Sequence, residues 1–249
     1  MKSKKLKKWT TLLTCATALT VMTACSQSSS QSTGTTSSTT SKTSAVTATT
    51  SKKTNKNNSN YFTSKDSDTS YNESSATKIK LSGSSADVSG DGAALSGSTV
   101  TISKAGTYVI SGKSDGVQIK VDAGDSDDVH IVLDGVTMTN TNAAINATKA
   151  GHVYLTLKDG TTNTLSDSSS NSDEDADAVI FSKGDLTING SGTLNIDAKK
   201  NNGIKANDSL HMAGGTYKIS SVGDAFNVND ELNITGTTMT IEAEEDAVK

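Results

Sequence analysis

The chain has 249 residues, 33% of them hydrophobic and 4% aromatic, with twenty Gly, no Pro and no Arg. Its net charge of −4 joins two unlike parts: residues 1–74 hold ten Lys against three acids, and residues 75–249 hold thirteen Lys against twenty-four acids. So acidic a body excludes nucleic acid as a partner, since phosphate neutralisation by basic side chains supplies most of that affinity. So small an apolar fraction excludes a large globular core and leaves a solenoid, which needs only two inward residues per short strand.

Met1 to Lys8 is rich in Lys, and Trp9 to Met22 is mostly apolar but too short to span a bilayer as a mature helix. This pattern predicts an export signal. It ends in Met22-Thr23-Ala24-Cys25-Ser26, which resembles the bacterial lipobox, with Met22 where Leu is usual. The resemblance implies a lipoprotein signal peptide over residues 1–24, a diacylated Cys25 as the new N-terminus, and a place on the outer face of the cytoplasmic membrane. Two acyl chains on one residue hold firmly. Cys15 leaves with the peptide, so the mature chain has one Cys and no disulfide. Residues 25–60 are almost wholly Ser, Thr, Lys, Asn and Gln and cannot offset an ordering cost of roughly 1–2 kcal/mol per residue. They are expected to be a disordered tether, and residues 61–76 a boundary segment.

From Thr77 short apolar alternations begin: Ile79-Lys80-Leu81, Val100-Thr101-Ile102, Tyr108-Val109-Ile110 and Val117 to Val121, separated by Gly and Asp turns. They read as strands. Val129 to Met138 reads as two strands broken at Asp134-Gly135, and the acidic run Ser166 to Ala176 as an insertion looping into solvent. In the last stretch Gly203-Ile204-Lys205-Ala206 recurs as Ala225-Phe226-Asn227-Val228, and Ala225 as Ala247, each 22 residues on. A step of that size with three short strands predicts an all-β parallel β-helix over residues 77–249. The inward columns are expected to be Val179/Ile204/Phe226/Val248, Phe181/Ala206/Val228, Leu186/Leu210/Leu232, Ile188/Met212/Ile234, Leu194/Tyr217/Met239 and Ile196/Ile219/Ile241. Tyr217 is then core, which leaves Tyr108 and Tyr154 as faces on which a sugar could stack, too few to support a lectin built on an aromatic platform. His130, His152 and His211 fall singly at outward positions, and no Ser/His/Asp arrangement is visible.

One polar column stands beside these strands: Asp177, Asn202, Asp224 and Asp246, one per coil, with Asp175 and Glu245 adjoining. Unit charges about 4.8 Å apart, the spacing of strands, repel by roughly 3–4 kcal/mol at an effective dielectric near 20. Unless fully solvated, the corner requires a counterion, and hard oxygen donors in a flexible turn favour Ca²⁺. A second turn carries Gly184-Asp185, Asn207-Asp208 and Asn229-Asp230, which also suit ordinary turn capping.

The run Ile131 to Met138, the segment Leu157-Lys158-Asp159-Gly160-Thr161-Thr162-Asn163-Thr164-Leu165 and the coils from Asp177 onward resemble the carbohydrate-binding β-helix family of Gram-positive surface proteins, related in fold to family 9 polysaccharide lyases. The resemblance covers about residues 77–249. It implies a right-handed single-stranded parallel β-helix, Ca²⁺ at Asp177, Asn202, Asp224 and Asp246, and non-catalytic binding of a polysaccharide such as polygalacturonate or cellulose. An acidic polymer would meet either bridging Ca²⁺ or the lysines Lys183, Lys199, Lys200 and Lys205. Two other readings stand beside it: a lyase using Ca²⁺ with Lys205 as base, and a structural adhesin for protein or wall polymer. Because Asp246-Ala247-Val248-Lys249 opens a new coil without a polar cap, a truncated domain or a covering chain is expected at that end.

Overall fold

A computed structural model describes residues 61–249; Cys25, the signal peptide and the tether lie outside the described residues. The body opens with β1 (Thr77–Gly83), β2 (Ser85–Ser89), β3 (Ala93–Ser96) and β4 (Thr99–Ile102), followed by β5 (Gly106–Asp115), β6 (Gln118–Asp122) and β7 (Asp128–Thr139). Four groups of three strands then repeat: β8 (Ile145–Lys149), β9 (His152–Leu157) and β10 (Thr162–Ser166); β11 (Ala178–Ser182), β12 (Leu186–Gly190) and β13 (Thr193–Ala198). The last two groups are β14 (Asn202–Ala206), β15 (Leu210–Ala213) and β16 (Thr216–Ser221), then β17 (Phe226–Val228), β18 (Leu232–Thr235) and β19 (Thr238–Ala243).

From β8 onward each strand pairs in parallel with the strand three places on, so the chain returns to the same side once per group. The first strands differ: β1 with β2 and β3 with β4 pair antiparallel and close that end. Twelve strands form one sheet and seven a second. The larger sheet curls at β7, whose first half pairs with β9 and whose last residues pair with β10. Between the halves Gly135 takes φ 69°, a conformation that costs a side chain-bearing residue far more. The backbone N–H of Val136 freed there is accepted by the Oδ1 of buried Asn163 at 2.9 Å. A lone Asn in an interior column thus satisfies the bend.

Alternation places Leu186 and Ile188 inward while Thr187 and Asn189 face out. The expected columns through Leu186, Ile188, Leu194 and Ile196 lie in register. The two through the β11 corner are shifted by one residue: Ile180, not Val179, stacks on Ile204 and continues to Phe226 and Val248, while Ser182, not Phe181, stacks on Ala206. Val179 is buried within β11 beside Ile180, and Phe181 points outward beneath Ala143 and Ala176. The acidic insertion therefore folds back instead of looping free. Its Ala176 covers Phe181, and its Asp167 and Asn171 are buried, with Asp167 accepting the Lys199 N–H at 2.6 Å. Tyr217 is core as expected; Tyr108 is too, its hydroxyl donating to the Lys104 carbonyl at 2.8 Å, and it offers no surface to a ligand.

Candidate functional site

The polar corner assembles, but as a hydrogen-bonded ladder. Asn202 Oδ1 accepts the Asp224 N–H at 3.0 Å, and Asp224 Oδ1 accepts the Asp246 N–H at 3.2 Å. Asn202 also donates its amide to the Asp177 carbonyl at 3.1 Å, a contact that an Asp there could not make. The one-residue shift puts Ala178, not Asp177, in the stacked position below Asn202. Asp177 meets the ammonium of Lys205 at 2.6 Å, and buried Asp224 receives the Asn227 amide at 2.9 Å with the Lys249 ammonium 3.6 Å away. Asp246, Asp175 and Glu245 are exposed, and Glu245 lines a cavity of about 170 Å³ shared with Asp177 and Asp224. The donors are hard oxygens, right in kind for Ca²⁺, yet among the described residues no three Asp, Glu, His or Cys side chains converge as a metal set.

The four lysines do not converge either. Lys205 is held by Asp177, with the Phe181 ring 6.0 Å beneath its nitrogen, and Lys199 lies 3.7 Å from Asp197. Lys200 lines the cavity at the Asp corner, whereas Lys183 lines a different one with Lys149, Asp125 and Asp208. A single basic track for an anionic chain is not formed.

A site that pattern reading passed over lies on the outward face of β7, β9, β12 and β15. Residues 61–76 run across it as a strap, with a single 3-10 turn at Lys65–Ser67. Asp66 is 1% exposed, 121 residues from its main contact, and clasps the strap to the sheet. Its Oδ2 accepts the N–H and hydroxyl of Thr63 at 2.7 and 2.8 Å, and its Oδ1 the Thr187 hydroxyl at 2.6 Å. Burial alone would push this carboxyl up; the hydrogen bonds from Thr187 and Thr63, with His211 nearby, outweigh it and hold the group below its ordinary value. His211 Nδ1 lies 3.4 Å from Asp66 Oδ1, close enough for Coulomb attraction, but it makes no hydrogen bond. Farther along, Tyr71 packs on Ala76, Val109 and Val132.

Two hydrogen-bond chains tie the histidines to the strap, and donor accounting gives their tautomers. Thr187 spends its proton on the Asp66 carboxylate, so its oxygen must accept from His152 Nε2–H at 2.9 Å. Asn189 donates its amide to the carbonyls of Asp66 and Asp68, both at 3.1 Å, which leaves its Oδ1 to accept the Thr156 hydroxyl at 2.6 Å. Thr156 then accepts from His130 Nε2–H at 2.8 Å. His130 and His152 both carry their proton on Nε2. Burial, opposed by Asp68 at His130 and by Asp185, Asp66 and Asp128 at His152, keeps both below the ordinary histidine value and neutral.

Between strap and sheet opens a cleft of about 180 Å³ lined by Lys65, Asp68, Ser70, Asp128, His130 and Tyr154. The Tyr154 ring is stacked on His152 at 4.1 Å and 12°, which fixes its plane. Lys65 is spent on Asp128 at 2.6 Å. In the sequence Tyr154 is only a leftover aromatic, in a composition that speaks against an aromatic platform, and the three histidines stand singly; no local pattern reveals a strap that joins Asp66 to Thr187.

Three likenesses bear on this arrangement. Residues 96–249 match a family model described as carbohydrate-binding domain-containing protein. A protein of that description from Acetivibrio thermocellus is 37% identical over 137 residues, or 53% of this chain and 48% of the relative, so the chain spans about half of that relative's length. A solved structure described as a polysaccharide lyase-like protein from C. thermocellum, a gadolinium derivative, superposes with a TM-score of 0.60 at 26% identity over 70% of this chain and 94% of that one.

The strap should loosen in acid. As pH falls, the unfolded chain protonates its histidines near 6.5, before the buried His130 and His152 of the fold do, so their contribution is complete above about 6.5 and is lost through their lower folded values. Asp66, held below 3.8, contributes above that value and fails only as pH drops through its own folded value. Hydrogen-exchange protection of strap amides should therefore drop between pH 7 and 5. Thr187→Val, which deprives the buried carboxylate of a donor, should cost about 1–3 kcal/mol in urea unfolding. Protection that is flat across that range, or a neutral Thr187→Val, would contradict this account of the clasp.

Proposed function

We infer, from the premise that this chain belongs to the carbohydrate-binding domain family, that it binds polysaccharide without cleaving it and that a sugar ring enters the cleft beneath the strap. The observation that carries this reading is Tyr154, an aromatic ring fixed by His152 and bordered in one small cleft by the polar groups of Asp68, His130 and Ser70. Sugars pair a ring face of C–H groups with a rim of hydroxyls, and a pocket with one apolar surface and a few placed polar groups suits both. From β8 onward the parallel pairing of each strand with the third after it supports a single-stranded parallel β-helix, taken as right-handed, as the scaffold. The lyase reading draws on the description of the solved relative, but Lys205, the base it would use, has its nitrogen donated to Asp177. The Met22–Ser26 motif supports export, lipidation at Cys25 and display at the cell surface by a tether of residues 25–60. Ca²⁺ at the corner would draw on Asp177, Asn202 and Asp224, in competition with the ammonium groups of Lys205 and Lys249.

Each part has its measurement. Full-length protein should co-sediment with cellulose or be retarded in gels cast with polygalacturonate or neutral glucans, and Tyr154→Ala should weaken binding about tenfold or more. The same mixtures should yield no absorbance from unsaturated sugar ends; steady product formation would make the chain a lyase. If Ca²⁺ takes the corner, it should raise the melting temperature by a few degrees, more in Lys249→Ala than in wild type. The absence of any shift in either protein removes calcium there. Cys25→Ser should move the protein from the membrane fraction to the medium, and unchanged membrane retention would rule out the lipid anchor.

A further inference from the structure

Resting on the reading that the cleft receives a sugar, we propose that it selects one uncharged sugar ring, held between Tyr154 of the sheet and Asp68 and Ser70 of the strap, with Asp66 as the residue that positions the strap half. The cleft's size sets the first limit. About 180 Å³ is below the roughly 300–1,000 Å³ of drug-sized pockets and suits a single ring.

Charge sets the second limit. The cleft holds two carboxylates and one ammonium, and Lys65 is already bonded to Asp128 at 2.6 Å. Asp68 accepts the Ser70 N–H and hydroxyl on Oδ1, at 2.9 and 2.6 Å, leaving its Oδ2 with no partner among the described residues. That oxygen accepts a hydrogen bond from a hydroxyl and repels a second carboxylate, so a uronic acid is rejected where a neutral ring is bound.

The remaining groups complete a set for hydroxyls. His130 commits Nε2–H to Thr156 and retains an unprotonated Nδ1 as an acceptor. The Tyr154 hydroxyl, which makes no hydrogen bond to a described residue, offers both a donor and an acceptor. His152, outside the cleft lining, covers one face of the Tyr154 ring and fixes it in plane for the C–H groups of a sugar. Half of the lining comes from the strap, whose place depends on Asp66 and on Asn189 holding the carbonyls of Asp66 and Asp68. The selectivity thus runs opposite to the acidic-polymer expectation drawn from the four dispersed lysines.

Titration calorimetry of the full chain with cellotetraose and with tetragalacturonate tests this. Cellotetraose should bind at least about tenfold tighter than tetragalacturonate, with little dependence on salt. Tyr154→Ala should abolish the preference, and Asp66→Asn should weaken cellotetraose several-fold while leaving the near-ultraviolet signal of the coils intact. Should Asp66→Asn fail to fold, Asp68→Lys provides the check: Asp68 is exposed, and reversing its charge should shift the preference toward tetragalacturonate. Tetragalacturonate binding more tightly than cellotetraose in a Tyr154-dependent manner overturns the neutral-ring proposal while leaving polysaccharide binding in place. Binding of either sugar that is indifferent to Tyr154, Asp66 and Asp68 removes the cleft. No binding of any polysaccharide removes the function itself.

Discussion

A rung in this body has no partner for its backbone except the rungs before and after it. Every N–H and C=O of a middle strand must find its mate at the strand spacing of about 4.8 Å, and the rest of the structure follows from that requirement. Inward residues must stack in columns, because a side chain that points in on one rung has neighbours at the same place on the next. Corners must repeat as well, and there the strand ladder lapses. The Asn202–Asp224–Asp246 series supplies what the ladder lacks: each side-chain oxygen accepts the next rung's N–H. Repulsion along the acidic corner is relieved by an amide at position 202, by Lys205 on Asp177 and by Lys249 near Asp224.

What could be read in advance was whatever repeats. Leu186, Leu210 and Leu232 announce their column by spacing alone, and so do Ile196, Ile219 and Ile241. At Val179 the spacing misleads by one residue, because the preceding insertion removes the fixed step and two adjacent apolar residues both find burial. Phe181 shows why hydrophobicity is ambiguous there: it is buried, but from outside, under Ala143 and Ala176. Asn163 and Asp167 were invisible because an interior polar residue owes its place to one backbone group, at Val136 or Lys199, and no pattern records that debt.

The cleft was harder still, since it is made by two segments far apart in the chain. Thr187 and Asn189 look like ordinary outward residues of a strand until Asp66 is laid over them. Histidines 130 and 152 then stop being isolated and become the inner ends of two chains of oriented donors. Networks of this kind are rigid only when complete, because each buried member depends on the next for its hydrogen bond. The one loose member is His211, whose Nδ1 faces Asp66 without bonding it.

Connectivity gives the clasp a mechanical meaning. Asp66 is the first deeply buried residue after residue 60, and it lies eleven positions before the start of β1. A pull on the chain from its N-terminal side therefore loads the Lys65–Asp128 pair and the hydrogen bond of Thr187 to Asp66 before it loads the backbone ladder of any strand. Such a pull peels the strap off the face of the sheet, breaking a few bonds in sequence, whereas displacing a strand would shear a whole ladder at once. Tension would open the cleft while the coils remain wound.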